Sequence, residues 1–274
     1  MLGNHEMYSG GEAYFRLIAD RMGNFTSDGR QAQDASYFTL ENKYWRIVAL
    51  DTGYNSLSGI FGIDDKHDLD LHEWQKTWLE KRVRLGEDKR GLIVLSHHQT
   101  FSAFENGFPK PEKFIAKQIG SNRNIIWMAG HEHWMALYGK NSLGNNSFVY
   151  ERCIGNSGMP VELNKKGEEK KPGASDHNLV LYDKRKREDF NGIPLGYNGF
   201  VKLIIKAADL QIEYYDDNDK SSSPRIILRE HWAVDIATGL LKGMDIVDYT
   251  LNDMDKNGAP KKLTQVRPLG MAIE

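Results

Sequence analysis

Residues 124–133 read Asn-Ile-Ile-Trp-Met-Ala-Gly-His-Glu-His, an apolar run that stops at Gly130 and then presents two imidazoles. Ile125 to Ala129 is β-branched and aromatic and has the length of a buried strand, and Gly130 lets the backbone turn as that strand leaves its sheet. His131 and His133 stand two apart, so extended backbone would aim both rings to one side. That is a chelating arrangement. An isolated His-x-His pattern also arises by chance or as a packed pair, so the rest of the chain has to decide.

Two other stretches carry the same signature. Gly91 to Ser96 is a continuous apolar strand, Leu92-Ile93-Val94-Leu95, that delivers His97-His98-Gln99 at its end. A strand apolar at every position needs cover on both faces, and in open α/β sheets ligands collect where the strands end. The chain also opens on Gly3-Asn4-His5-Glu6, just ahead of a helical pattern formed by Ala13, Tyr14, Leu17, Ile18 and Met22, with Glu12 in its first turn and Gly23 as its stop.

Between these clusters, Ser36–Leu40 and Tyr44–Leu50 predict two strands joined by Glu41-Asn42-Lys43, and the second runs into Asp51-Thr52-Gly53. Residues 54–70 read as a loop long enough to overhang a site. Leu71 to Leu85 predicts an amphipathic helix whose Trp74 and Trp78 pack into the core, and Glu112 to Ile119 predicts a shorter helix. After His133 the texture becomes strand after strand: Phe148–Ile154, Leu179–Tyr182, Phe200–Lys206, Leu210–Tyr215 and Ile226–Trp232. The charged runs Lys165–Lys171 and Lys184–Glu188 read as solvated surface. Periodicity fades beyond Thr238, which divides the chain into a domain over 1–235 and a tail over 236–274.

With 274 residues, 40% of them hydrophobic and 27% charged, the chain can bury a full core as one large domain. A net charge of -2 gives no basic field for non-specific nucleic-acid binding. One cysteine excludes an internal disulfide and a thiolate metal cluster. No apolar run reaches membrane-spanning length, and residues 1–25 lack the layout of a secretion signal, so the expected location is cytoplasmic. Oligomeric state is not legible.

Taken together, Gly3-Asn4-His5-Glu6, Ser96-His97-His98 and Gly130-His131-Glu132-His133 offer nitrogen and oxygen donors suited to borderline divalent metals. In order and character they resemble the later motifs of the calcineurin-like metallophosphoesterases: Gly-Asn-His-Asp/Glu, a strand ending in histidine, and Gly-His-x-His. The resemblance covers residues 3–133. It implies an α/β fold, an αββα sandwich of two mixed sheets. It also implies that Asn4, His97 and His131 ligate the second of two metals (Mn, Fe or Zn) and His133 the first, with His98 in a supporting or core position. His5 would be the general acid and Glu6 the carboxylate that orients it. The implied reaction is hydrolysis of a phosphate mono- or diester, small or macromolecular, by attack of a metal-bound hydroxide.

Members of that family carry an Asp-x-His and a Gly-Asp motif upstream of Gly-Asn-His, and here only Met1 and Leu2 precede it. Asp65-Lys66-His67 and Asp70-Leu71-His72 fit Asp-x-His, but neither follows an apolar strand. The resemblance therefore implies an N-terminally truncated phosphoesterase, missing the first strands of its sandwich, that binds one metal weakly and hydrolyses little. One alternative is a non-catalytic, degenerate binding protein on the same fold. Another is an unrelated mononuclear metallohydrolase that uses Asn4, His97 and His131 with Glu6 or Glu132 as base. Glu132 itself, flanked by two ligands, reads as a packing residue. Tyr8, Tyr54, Phe101, Phe104 and Trp134 could line a pocket, though most read as core.

Overall fold

The apolar run at 124–129 forms the middle of a mixed sheet in a computed structural model that describes residues 1–23, 33–54, 56, 69–158, 161, 163, 175–217, 224–248 and 264–265. The strands of that sheet begin with β1 (Phe38–Glu41), β2 (Trp45–Ala49), β3 (Gly91–Ser96), β4 (Asn124–Ala129), β5 (Met135–Gly144), β6 (Ser147–Ile154) and β7 (Leu179–Tyr182). A small hairpin, β8 (Glu188–Phe190) and β9 (Ile193–Leu195), precedes a second sheet of β10 (Gly199–Lys206), β11 (Asp209–Asp216), β12 (Arg225–Asp235) and β13 (Leu240–Asp248). The two-residue β14 (Thr264–Gln265) then returns to β7. In space the mixed sheet runs β1-β2-β3-β4-β6-β5-β7-β14.

Its centre is parallel: β2, β3, β4 and β6 run the same way, and antiparallel strands flank them. Parallel neighbours need crossovers. Helix α3 (Glu73–Trp78) lies between β2 and β3, and α4 (Pro109–Ile119) lies between β3 and β4. Two short helices, α1 (Asn4–Met7) and α2 (Glu12–Leu17), lead the chain, and Ile18–Met22 continues the second in a wider turn that ends at Gly23.

The pleat sorts each central strand between two layers. Leu92 and Val94 of β3, with Ile125, Trp127 and Ala129 of β4, pack under Leu79, Val83, Ile115 and Ile119 on the helical side. Ile93, Ile126 and Met128 face the other way, onto Leu210, Ile212, Tyr214, Leu228 and Trp232 of the second sheet. All six residues of β4 are buried because both of its faces are covered.

An α/β architecture of helices, mixed sheet and second sheet is thus present. The second sheet differs from the expected mixed one: each of its pairings is antiparallel. Its outer face carries the Lys202–Glu213–Arg229 ion pairs and a Phe200–Tyr215 ring stack where an αββα sandwich would place a helix. Other expectations also change. Trp74 is 69% exposed, not core, because it lies on the side of α3 away from the sheet. Arg185, expected at the surface, is buried between Asp183 and Asp216. Past Thr238 the chain continues as β13, paired with β12. Asp65-Lys66-His67, Lys165–Lys171 and Asn252–Lys262 lie outside the described residues. Among the described residues no helix is long and apolar enough to cross a membrane.

Candidate metal centre

Strands β3 and β4 run parallel with Ser96 beside Ala129, so the histidines that follow them leave the sheet at the same end. The backbones stay in contact past the strands: the N–H groups of Gly130 and His131 donate to the His97 carbonyl at 2.9 and 2.7 Å. Ser96 locks the turn from below, donating from its hydroxyl to the His98 carbonyl at 2.7 Å and accepting from the Trp127 indole at 2.7 Å. The His97 and His131 rings are brought together as a result, with His97 Nε2 3.1 Å from His131 Nδ1.

Asn4 arrives from the other end of the chain. Its side-chain oxygen lies 2.7 Å from His97 Nε2. The segment that carries it threads against the end of β2, where a Cβ on Gly53 would fall 2.7 Å from the Gly3 carbonyl and the Leu2 oxygen. Gly3 is close-packed too, since a Cβ there would lie 2.8 Å from the Glu6 carboxylate and 3.1 Å from the His97 ring. Glycine at both positions is what allows the two backbones and the ring to meet.

His98 joins the group. Its ring centroid is 4.5 Å from that of His131, and the donor atoms of His97, His98 and His131 all lie within 4.8 Å of one another. The resemblance implies only a supporting or core position for His98, and the signal for more is its place just after a strand end. Thr52, which was not singled out, lies 3.0 Å from His98 Nδ1 and accepts from the His98 N–H at 3.1 Å. In the tautomer whose Nδ1–H donates to Thr52 Oγ1, the Nε2 lone pair is free to ligate, the usual arrangement behind a metal-bound imidazole. Asp51, just before Thr52, is clamped by Gln75 of α3 through both of its backbone groups, at 2.8 and 2.9 Å.

Burial, followed by the neighbouring His131, His5 and His133, pulls the His97 pKa down to about 3. Burial also lowers that of His98, with His131 and His97 adding to it. In His131 burial lowers it against an opposing pull from Glu105. An apolar cavity lies behind His97, bounded by Leu2, Met128, Ile154 and Val201. Three neutral imidazoles near neutral pH are ready ligands, since no proton has to leave when a metal binds. The spacing of one donor pair also fits. A tetrahedral ion with bonds of about 2.0–2.1 Å needs nitrogens roughly 3.3 Å apart, close to the spacing of His97 and His131. The group could therefore hold a divalent ion, with Asn4 Oδ1 beside it.

The remaining candidates lie around this cluster. Residues 131–134 bend instead of staying extended, so His133 does not follow His131 into the group, and its ring faces that of His5 at 6.4 Å between centroids. The His5 ring lies 4.8 Å from that of the exposed Tyr8, tilted by 31°. Glu6 accepts from the Gly3 N–H at 2.8 Å, which holds the turn carrying Asn4 and His5. Glu132 is buried and accepts from the Ser102 hydroxyl at 2.6 Å. Asp70 pairs with Lys76, and His72 caps α3, so Asp70-Leu71-His72 is part of a helix start. Phe101, Phe104 and Trp134 belong to a separate apolar cluster with Tyr138 and Tyr182.

Comparison with protein-family models and with curated proteins finds no match to the chain. The reading of the site rests on its own residues.

Proposed function

We propose that the protein is a metal-dependent phosphoesterase, a hydrolase of phosphate mono- or diesters, built on residues 3–133. His97, His98 and His131 hold a divalent ion of the Mn, Fe or Zn type, with Asn4 Oδ1 completing the donor set. Such an ion supplies Lewis acidity toward a phosphoryl oxygen and toward water. His5, exposed at the rim, is free to protonate the departing alcohol oxygen. Glu6 acts on the backbone turn beneath that ring, while Tyr8 and His133 bound the ring itself.

The observation that carries the reading is the meeting of Asn4, His97 and His131 at 2.7 and 3.1 Å from three distant parts of the chain, with His98 within reach. Among the described residues the group contains imidazole and amide donors and no carboxylate, which suits one ion better than two. The same observation favours, as a second reading, a non-catalytic metal-binding protein on this fold.

The test is hydrolysis of nitrophenyl phosphate and bis(nitrophenyl) phosphate with Mn, Fe or Zn added in turn. Slow, metal-dependent turnover that His97→Ala abolishes is expected. A protein that binds the metal through these histidines yet hydrolyses neither ester is instead the non-catalytic one.

A further inference from the structure

A second cavity, of about 230 Å3, opens on the far side of the Asp51–Gly53 segment from the histidine cluster. It is smaller than the roughly 300–1,000 Å3 typical of sites for drug-sized ligands, so it fits a headgroup. Its walls are aromatic. Phe15 and Tyr54 meet edge to face at 6.2 Å, Tyr54 and His72 do so at 5.7 Å, and Trp74 leans on His72 at 4.2 Å. Trp74 is also the most exposed large apolar side chain among the described residues, at 69%. These rings present surface to the cavity that the fold leaves uncovered.

The fixed charges of the described lining are negative. Asp51 is buried and Asp34 lies at the surface, and none of the residues described around the cavity is Lys or Arg. Asp51 accepts from the Ser36 hydroxyl and from the N–H groups of Gly53 and Tyr54, and none of these donors neutralises it. Burial raises the Asp51 pKa against these hydrogen bonds, and among the described residues the positive group that acts on it is the Met1 amine, which does not line the cavity. Tyr37, another lining residue, has its pKa raised by burial and then by Asp34 and Asp51, as a negative local field requires.

Aromatic faces and carboxylates with no Lys or Arg in the described lining attract the same kind of ligand. Ring quadrupoles hold weakly hydrated cations, quaternary ammonium groups above all, and carboxylates reinforce them. A phosphate would be repelled. We propose that this cavity binds an organic cation, a quaternary or tertiary ammonium group. Only Thr52 separates Asp51 in its lining from His98. The binding itself does not depend on the phosphoesterase reading.

Saturation-transfer NMR titration of the metal-free protein tests this with choline, its uncharged carbon isostere 3,3-dimethylbutan-1-ol, and adenosine as a flat neutral ring. Choline should bind, the isostere should be weaker by at least about tenfold, and Trp74→Ala should weaken choline to a similar degree. Because Trp74 is exposed, that variant should keep the wild-type melting curve. Asp34→Asn, also at the surface, should weaken choline and leave the isostere unchanged. Equal binding of choline and its isostere, adenosine binding without choline, no choline binding, or indifference to Trp74→Ala would each overturn the proposal.

Discussion

The side-chain oxygen of Asn4 and Nε2 of His97 lie 2.7 Å apart, although 93 positions separate the two residues in the chain. His131 Nδ1 stands 3.1 Å from the same nitrogen. A neutral imidazole nitrogen offers one proton or one lone pair, so it cannot satisfy both neighbours as a simple hydrogen-bond partner. Three such atoms facing one point are better served by a cation among them. The predicted outcome is stoichiometric binding of one Zn or Mn ion. His97→Ala, His98→Ala and His131→Ala should each weaken binding by more than the roughly 10–100-fold expected for a supporting residue, while His133→Ala stays below that range. Calorimetric titration decides it, and equal losses at His98 and His133 would remove His98 from the ligand set.

Thr52 reaches His98 through its hydroxyl, which both accepts the His98 N–H and meets Nδ1. Thr52→Val keeps the shape and removes the group that selects the tautomer. Metal affinity should fall by about 10–100-fold, with the melting temperature of the metal-free protein changing little by comparison. A loss of stability without a loss of affinity would make Thr52 a packing residue only.

Gly53 has no room for a methyl group, since a Cβ there would lie 2.7 Å from the Gly3 and Leu2 backbones. Gly53→Ala should push the Asn4 segment away from His97. The expected cost is roughly 1–3 kcal/mol of stability, as for other overpacked sites, together with weaker metal binding. Thermal unfolding in the presence and absence of metal separates the two effects, and an unchanged affinity would show that Asn4 contributes nothing to the ion.

Much of this is legible in the sequence, for identifiable reasons. Leu92–Leu95 and Ile125–Ala129 are unbroken apolar runs because their strands are covered on both faces, and the ends of those strands place His97 and His131 side by side. Glycine and strand ends were visible signals. What could not be read depends on tertiary geometry. His133 was expected beside His131 on the strength of a two-residue period, but the backbone bends at 131–134, and that period holds only in extended chain. Trp74 fell within a helical apolar pattern, yet the pattern alone does not say which of two neighbouring indoles meets the sheet; Trp78 packs there and Trp74 does not. β5 was missed because its second half, Lys140-Asn141-Ser142, is polar and its register slips against β6. Arg185 looked solvated because its partners Asp183 and Asp216 come from different strands' ends.

On β6, Glu151 is fully buried and accepts from the backbone and hydroxyl of Thr100, just past the histidines. Burial raises its pKa well above 4.5, and the nearby Glu112 adds to the rise against the Thr100 hydrogen bonds. A carboxyl whose folded pKa lies above its unfolded value binds more protons when folded. Its contribution is therefore complete below about pH 4.5 and is lost as pH rises through the folded pKa, at about 1.4 kcal/mol per unit of pH. Glu151→Gln removes that loss and leaves Thr100 an acceptor. The variant's melting temperature should gain on the wild type as pH goes from about 5 to about 8. A pH-independent difference would mean that Glu151 is ionised in the folded protein.

The next residue on the same strand points the other way and ties the two sheets together. Arg152 donates to Glu230 of β12 at 2.8 and 2.9 Å, both side chains have no exposed surface, and Trp232 also donates to the same carboxylate at 3.1 Å. Arg152→Met would leave a buried carboxylate without a countercharge, at a cost of about 3–5 kcal/mol. Replacing Glu230 with glutamine in that background keeps an acceptor for Tyr214 and Trp232 and removes the stranded charge. The double variant Arg152→Met, Glu230→Gln should therefore be more stable than Arg152→Met alone, and the cycle should show a coupling of roughly 0.5–3 kcal/mol. Additive losses in chemical denaturation would mean that the two charges do not depend on each other, and that packing between β6 and β12 holds the layers without them.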